Sequence, residues 1–211
     1  MAKYPIYIEL GGKRVVVIGA GSVASRKVAV LCQAGAKVLV VAKEIQAEFA
    51  ERCKDLDLEI IEGEYSKEYL AGAVMVMAAT NVSELNTRIY TDCNELNVIC
   101  NVVDVPELCD FYVPAKIERG PLQIAIGTNG TSPAYSAKLR RQLESMFTET
   151  HGQFVAEMGI VRKRVIEEIA DGGKRKKIFE ALVTDESFDC FVNNGAEAWR
   201  VYAEKLVVEN S

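Results

Sequence analysis

Five short stretches of this chain carry residue types that can do chemistry. Gly19-Ala20-Gly21-Ser22-Val23-Ala24 is a glycine turn of the form G-x-G-x-x-A. Gly19 permits a tight turn. Gly21 lets a pyrophosphate approach the backbone, and Ala24 lets a following helix pack close to a sheet. The amides that open that helix have no intrahelical acceptor and carry partial positive charge, which suits an anion. Gly19, Gly21, Ser22, Val23 and Ala24 are therefore candidate dinucleotide contacts. Lys43-Glu44 is the second stretch: an acid here would take ribose hydroxyls, whereas a lysine would greet a 2′-phosphate, so NAD and NADP both stay open at this position. Thr80-Asn81 is the third. The fourth is Asp104, a carboxylate that can serve as a general base or can cap a turn before Val105-Pro106. The fifth is Thr128-Asn129-Gly130-Thr131-Ser132-Pro133, a polar glycine-bearing loop whose last two residues read as a helix N-cap followed by a first-turn proline.

The elements that position these residues follow from hydrophobic periodicity. Val15–Ile18, Lys37–Ala42, Leu58–Ile61, Val74–Ala79 and Val98–Val103 are short apolar runs, and the fourth is almost continuous, as a strand covered on both faces should be. Between them lie helical patterns. Ala24, Val28, Leu31 and Cys32 share one face, Ile45 to Cys53 looks helical, and Leu85, Ile89, Cys93 and Leu96 share a face of a helix over 83–96. Ser66–Leu70 reads as a short turn with Ser66 as N-cap. Alternating strands and helices predict a doubly wound parallel sheet, in which ligands bind beyond the carboxyl ends of the strands. The glycine turn, Lys43-Glu44, Thr80-Asn81 and Asp104 all follow such ends. Upstream, Tyr4 to Leu10 reads as a short edge strand or strap.

A second unit is expected from Pro114. Phe111–Val113 reads as a strand or a crossover and Leu122–Ile126 as a strand, a small two-stranded element followed by a basic helix to about Phe147. So little structure cannot bury much alone and should pack on the first domain or on a second subunit. From Gly152 onward the pattern is helical, with a break at Asp171-Gly172-Gly173 and further helices over 174–183 and 196–208. His151, the one histidine, is expected to be structural.

Composition narrows the function. Of 211 residues, 49% are hydrophobic and 26% charged, as in ordinary globular proteins. The N-terminus lacks the apolar run of a signal peptide, and no stretch is long enough for a membrane span, so a cytoplasmic protein without membrane partners is expected. The six cysteines form no C-x-x-C pair, so neither a disulfide scaffold nor a permanent metal site is expected. Net charge is −5, yet residues 114–164 carry eight Lys and Arg against four Asp and Glu. Nucleic-acid binding by Arg162-Lys163-Arg164 and the 174–177 cluster does not fit the acidic total. A local basic surface for an anionic small molecule does, with solvated helix faces as the bland alternative.

With these stretches in place, the chain resembles the siroheme-synthase N-terminal family of precorrin-2 dehydrogenases and sirohydrochlorin ferrochelatases. The resemblance rests on PIYIEL, on VVVIGAGSVASRKVAVLCQAGAKVLVVA, on AAT, on CNVVDVPELCDFYVPA and on RGPLQIAIGTNGTSPAYSAKLRRQLE, over roughly residues 5 to 145. It implies a Rossmann-like sheet over 1–113, a small α+β dimerisation segment over 114–148, a helical domain over 149–211, a stand-alone form and a homodimer. It implies that NAD accepts a hydride from precorrin-2 with Asp104 as general base, and that ferrous iron is a further substrate if chelatase activity is kept. Nucleotide contacts would fall on Ser22-Val23 and Lys43-Glu44. The family's modified hydroxyl would fall on Thr128. Lys116, Arg119, Lys138, Arg140 and Arg141, with Thr128, are the candidates for holding a polycarboxylate tetrapyrrole. The competing reading is an NAD-sensing module without catalysis, which explains the glycine turn but gives no reason for NVVD or for T-x-G-x-S-P.

Overall fold

A computed structural model describes residues 3–210; Met1 and Ala2, at the start of the expected first domain, and Ser211, at the end of the last, lie outside the described residues. The chain divides into two compact units, Met1–Val113 and Pro114–Ser211.

The first unit is a five-stranded parallel sheet. Its strands are β1 (Arg14–Ile18), β2 (Lys37–Ala42), β3 (Leu58–Glu62), β4 (Met75–Ala78) and β5 (Ile99–Val102), in the order β3-β2-β1-β4-β5. The connections contain α1 (Ser22–Gln33), α2 (Ala47–Cys53), a 3₁₀ turn at Lys67–Leu70 and α3 (Ser83–Glu95). Alternation along β1 divides the core between the two faces. Val15 and Val17 join Val28, Leu31 and Phe49 of α1 and α2, while Val16 and Ile18 join Leu70, Ile89 and Cys93 on the other face. Both sets are almost wholly buried. This two-sided burial is why the central strands read as unbroken apolar runs rather than alternating ones. The order reverses between β1 and β4, which leaves a crevice at their carboxyl ends.

Of the two readings of Tyr4–Leu10, a short edge strand or a strap, the edge strand does not form. The segment pairs with no strand, and of its apolar residues only Leu10 is buried. Phe111–Val113 likewise forms no ladder; the partner of β7 (Leu122–Ile126) is β6 (Ala115–Arg119), antiparallel, with Ile117 opposite Ile124. β6 carries Lys116 and Glu118 on its exposed face and Arg119 at its end, which hid its single buried Ile117 from a hydrophobicity reading.

The second unit continues with α4 (Pro133–Met146), α5 (Glu149–Glu168), α6 (Gly172–Leu182) and α7 (Asp185–Asn210). Ser132 caps α4 by accepting from the Tyr135 amide at 3.3 Å. The break expected at Asp171-Gly172-Gly173 falls slightly earlier. Asp171 caps α6 by accepting from the Lys174 amide at 2.9 Å, so both glycines are helical. Helix α7 is two helical segments divided at the non-helical Gly195 (φ +81°): the second begins at Ala196, as expected, and the first, from Asp185, is additional to the expected helices. Its first half holds Phe188 and Phe191, which face Phe154 and Trp199.

Trp199 is the keystone of this helical core. It is fully buried, its ring meets Phe154 at 5.3 Å, and its indole N–H donates to Ser187 Oγ at 2.9 Å. Trp199→Ala is expected to destabilise the protein by about 3–5 kcal/mol in chemical denaturation, whereas Ser187→Ala, which only orphans the indole N–H, should cost about 1–3 kcal/mol. Equal effects from the two variants would contradict this packing. Among the described residues no helix is long and apolar enough to cross a membrane.

Candidate functional site

Strand β1 ends in the glycine turn. Gly19 has φ +110°, and its amide donates to the carbonyl of Val41 on β2 at 2.8 Å. A Cβ at this position would stand 2.4 Å from the carbonyl oxygen of Ala79, just past β4, so only glycine lets these backbones approach. Gly21 is the N-cap of α1, with no side chain to cap the helix and no acid in the first turn. The first capturable amide, Ser25 N, returns to the Gly21 carbonyl at 3.0 Å, while Ser22, Val23 and Ala24 open the helix ahead of it. The first-turn amides therefore form a cradle with no protein side chain in the capping role, which fits a dinucleotide pyrophosphate.

At the end of β2, Lys43 is engaged rather than free. Its ammonium lies 2.8 Å from the Glu64 carboxylate, and that hydrogen bond holds its pKa above the ordinary lysine value. Glu44 beside it is exposed. At the end of β4, Thr80 turns inward. Its hydroxyl lies 2.7 Å from Asn86 Oδ1 and receives the Val82 amide at 3.2 Å, while Asn86 Nδ2 donates back to the Thr80 carbonyl at 3.0 Å. Thr80 thereby fixes the entry to α3, and Asn81 is the exposed residue of the pair.

Asp104 follows β5 with φ +61°, an exposed carboxylate on a left-handed backbone. Aspartate is one of the few residues that tolerates this region. Sequence reasoning passed over the neighbour that faces it. Lys27, on α1 one turn beyond the glycine turn, is half-buried, and the charge of Asp104 acts on its ammonium. Burial pulls the Lys27 pKa below the ordinary lysine value, and Asp104 pulls it partly back up. Among the described residues no carboxylate closes an ion pair with Lys27. The available signal was its place in the apolar stripe of α1, three residues after Ala24 and one before Val28, where a lysine has no packing reason to be.

The basic residues of the second unit divide in two. Lys116 is bonded to Glu118 at 2.7 Å, Arg119 bridges to Glu149 at 3.2 Å and donates to the Phe147 carbonyl at 3.1 Å, and Arg140 is paired with Glu144 one turn on. Lys138 and Arg141 are exposed on α4 and make no ion pair with a described residue. Thr128 lies in the loop before α4. Its hydroxyl accepts from the Ser132 amide at 3.1 Å and lies 3.2 Å from Ser136 Oγ, so it organises the helix entry. His151 completes a capping box with Thr148 at the start of α5 and stacks with Phe147 and Phe188, a structural role.

Residues 6–115 match a family model described as "Putative NAD(P)-binding", and residues 119–146 match one described as "Sirohaem biosynthesis protein central". The chain is 36% identical over 179 residues to siroheme synthase 3 of Aeromonas hydrophila subsp. hydrophila, covering 85% of this chain and 38% of that protein. It is 31% identical over 210 residues to the siroheme synthase of Citrobacter koseri, covering 99% of this chain and 46% of that one. The chain thus spans less than half the length of these curated relatives. A solved structure titled "SirC, precorrin-2 dehydrogenase" shares the fold with a TM-score of 0.77 at 22% identity, covering 96% of this chain and all of that one.

Proposed function

The chain belongs to the siroheme-synthase N-terminal family, and from that premise we propose that it oxidises precorrin-2 to sirohydrochlorin with NAD as the oxidant. The observation that carries this reading is a juxtaposition within one sheet: an uncapped glycine turn at the end of β1 and an exposed carboxylate, Asp104, at the end of β5, with the cation Lys27 facing the latter. When bound, NAD⁺ supplies the hydride acceptor. The residues supply the rest. Ser22, Val23 and Ala24 present the amides that seat the pyrophosphate. Asp104 takes the nitrogen-bound proton that the substrate sheds as the hydride leaves, so that two electrons and two hydrogens depart together. Lys27, on whose ammonium the charge of Asp104 acts, receives a substrate carboxylate.

NAD is favoured over NADP by charge. Lys43, beside the end of β2, is committed to Glu64; Glu44 follows it in sequence, and Glu62 of β3 pairs with Ala42. A 2′-phosphate would meet carboxylates there, while ribose hydroxyls would meet acceptors. Among the candidate cations, Lys138 and Arg141, which make no ion pair with a described residue, are the favoured contacts for further substrate carboxylates, with Lys116, Arg119 and Arg140 reaching them only by leaving a partner. A homodimer is supported by the small two-stranded sheet, half-buried along β7, and by the exposure of Tyr135 and Met146 on α4.

Incubation of the purified chain with NAD⁺ and precorrin-2 tests the reading. Formation of NADH and sirohydrochlorin supports it; tight NAD⁺ binding without turnover favours the nucleotide-sensing alternative. Lys27 gives a pH signature. Its depressed pKa means that kcat/KM should fall with rising pH below the ordinary lysine range, as the free enzyme loses the cation. Lys27→Met should raise KM about tenfold with a smaller change in kcat, and Lys27→Arg should move the alkaline limb out of range. An unchanged pH profile in both variants would remove Lys27 from the site.

A further inference from the structure

Asp104 is held by the chain that follows it. Val102 to Val105 form a tight turn, closed by the Val105 amide on the Val102 carbonyl at 3.3 Å, with Asp104 at φ +61° inside it. After a 3₁₀ turn at Pro106–Leu108 the chain doubles back and lies along β5 through an isolated antiparallel bridge between Asn101 and Cys109. The Cys109 sulfur then lies 3.1 Å from the Val102 carbonyl oxygen and 3.3 Å from the Val105 carbonyl oxygen. These carbonyls stand on either side of Val103-Asp104. One S–H proton serves both acceptors.

The thiol is itself anchored. The buried amide of Asn101 donates from Nδ2 to Cys109 Sγ at 3.3 Å and to the Phe111 carbonyl at 2.9 Å. Asp110 secures the next step by accepting from the Cys100 amide at 2.7 Å, and its own amide donates to the Cys100 carbonyl at 2.8 Å. Burial raises the Cys109 pKa, which keeps it a thiol and hence a donor. The charge of Asp110 adds to that rise, and the charges of Lys27 on α1 and, more weakly, Lys3 oppose it. A cysteine at this spot packs little apolar surface. Its sulfur is spent on two carbonyls and one amide.

We propose that Cys109, held by Asn101, is a positioning residue for Asp104: by tying the carbonyls that flank Asp104, it sets the direction from which the carboxylate meets the substrate proton. The inference rests on Asp104 being the base. Removing the thiol frees the turn to relax, which lowers the rate of proton removal without touching the nucleotide cradle at the other end of the crevice. Misplacement of a reacting group by about 1 Å can cost as much as 10²-fold in rate. Loss of one side-chain tie within an otherwise bonded turn should therefore cost less.

The test compares Cys109→Ala and Cys109→Ser with the wild-type chain, each alone and in an Asp104→Asn background, with NAD⁺ affinity as the check that the sheet is folded. Cys109→Ala is expected to lower kcat about tenfold with KM for precorrin-2 and NAD⁺ affinity within about twofold. Cys109→Ser keeps a donor at the site and is expected to recover most of the loss. In the Asp104→Asn background neither change should lower kcat further, because the thiol acts through the carboxylate. Wild-type kcat in Cys109→Ala, equal losses in both variants, or full additivity with Asp104→Asn would each overturn the positioning role. Failure of the underlying reading is separately visible, because Asp104→Asn alone would then turn over like wild type. If Cys109→Ala does not fold, the Cys109→Ser comparison decides: expected kcat near wild type with the Asp104 dependence intact, against a loss that persists without Asp104.

Discussion

Asp104→Asn is expected to lower the turnover of precorrin-2 by about 10²- to 10⁴-fold and to leave NAD⁺ binding unchanged. That range corresponds to roughly 3–5 kcal/mol in the barrier, the usual contribution of a positioned general base. Asparagine is the informative substitution because of the backbone. Asp104 sits at φ +61°, which asparagine also tolerates, whereas alanine pays for that conformation. Asp104→Asn therefore removes the base and keeps the turn; Asp104→Ala removes the base and strains the turn. The two variants should agree in kcat to within a few-fold if the carboxylate itself is what matters. Steady-state kinetics with a separate NAD⁺ titration checks both halves, and a weakened NAD⁺ affinity in Asp104→Asn would place Asp104 in the nucleotide site instead.

The second large effect is expected at the glycine turn, where two glycines do different work. Gly19→Ala puts a Cβ 2.4 Å from the Ala79 carbonyl oxygen on a backbone at φ +110°. Both the strain and the clash act on β1 and on the end of β4, neither of which can shift without opening the core on both faces of the sheet. A loss on the order of 3 kcal/mol or more is expected in chemical denaturation. Gly21→Ala is different. Its added Cβ would lie 3.1 Å from Gln46 Oε1, the far end of a flexible exposed side chain, and Gly21 has an ordinary extended backbone. Stability should change by less than about 1 kcal/mol, while NAD⁺ affinity falls by at least about tenfold because the methyl group stands where the pyrophosphate approaches the backbone. Thermal or chemical melting read against NAD⁺ titration separates the two. A stable Gly19→Ala protein, or a Gly21→Ala protein that binds NAD⁺ normally, would contradict the division.

The parallel sheet was legible because burial on both faces writes a simple signal. Val15–Ile18 and Val38–Ala42 are apolar throughout, and a glycine turn and a helix follow the first. The entry to α4 was legible for a local reason as well, since Ser132 and Pro133 encode a helix start within two residues. Segments whose structure depends on distant partners were not. Tyr4–Ile8 carries a strand-like alternation, yet no sheet edge takes it up. The first segment of α7, ahead of the break at Gly195, was not legible either: it is short, carries Asp185, Glu186, Asp189, Asn193 and Asn194, and rests on the packing of Phe188 and Phe191.

The candidate site divides along the same line. The ends of β1, β2, β4 and β5 follow from topology once the strands are known, so Gly19, Lys43, Thr80 and Asp104 could be assigned to one edge from spacing alone. What each side chain does there could not. Lys43 meets Glu64 across a strand connection, and Thr80 closes on Asn86 six residues later. Lys27 faces Asp104 across nearly eighty positions of sequence, and Cys109 reads as one more apolar cysteine until its sulfur is placed between two carbonyls. Hydrophobic pattern records what is buried; it carries no record of which polar group a buried sulfur or amine will meet.

The most direct test follows a single turnover of the wild-type chain with excess NAD⁺ and limiting precorrin-2, monitoring NADH and sirohydrochlorin together. The two products are expected to rise with one rate constant and in equal amounts, and both signals should be lost together in Asp104→Asn. Sirohydrochlorin formed without NADH, or both formed at the wild-type rate by Asp104→Asn, would contradict the assignment of this crevice as the site where NAD⁺ and Asp104 oxidise the tetrapyrrole.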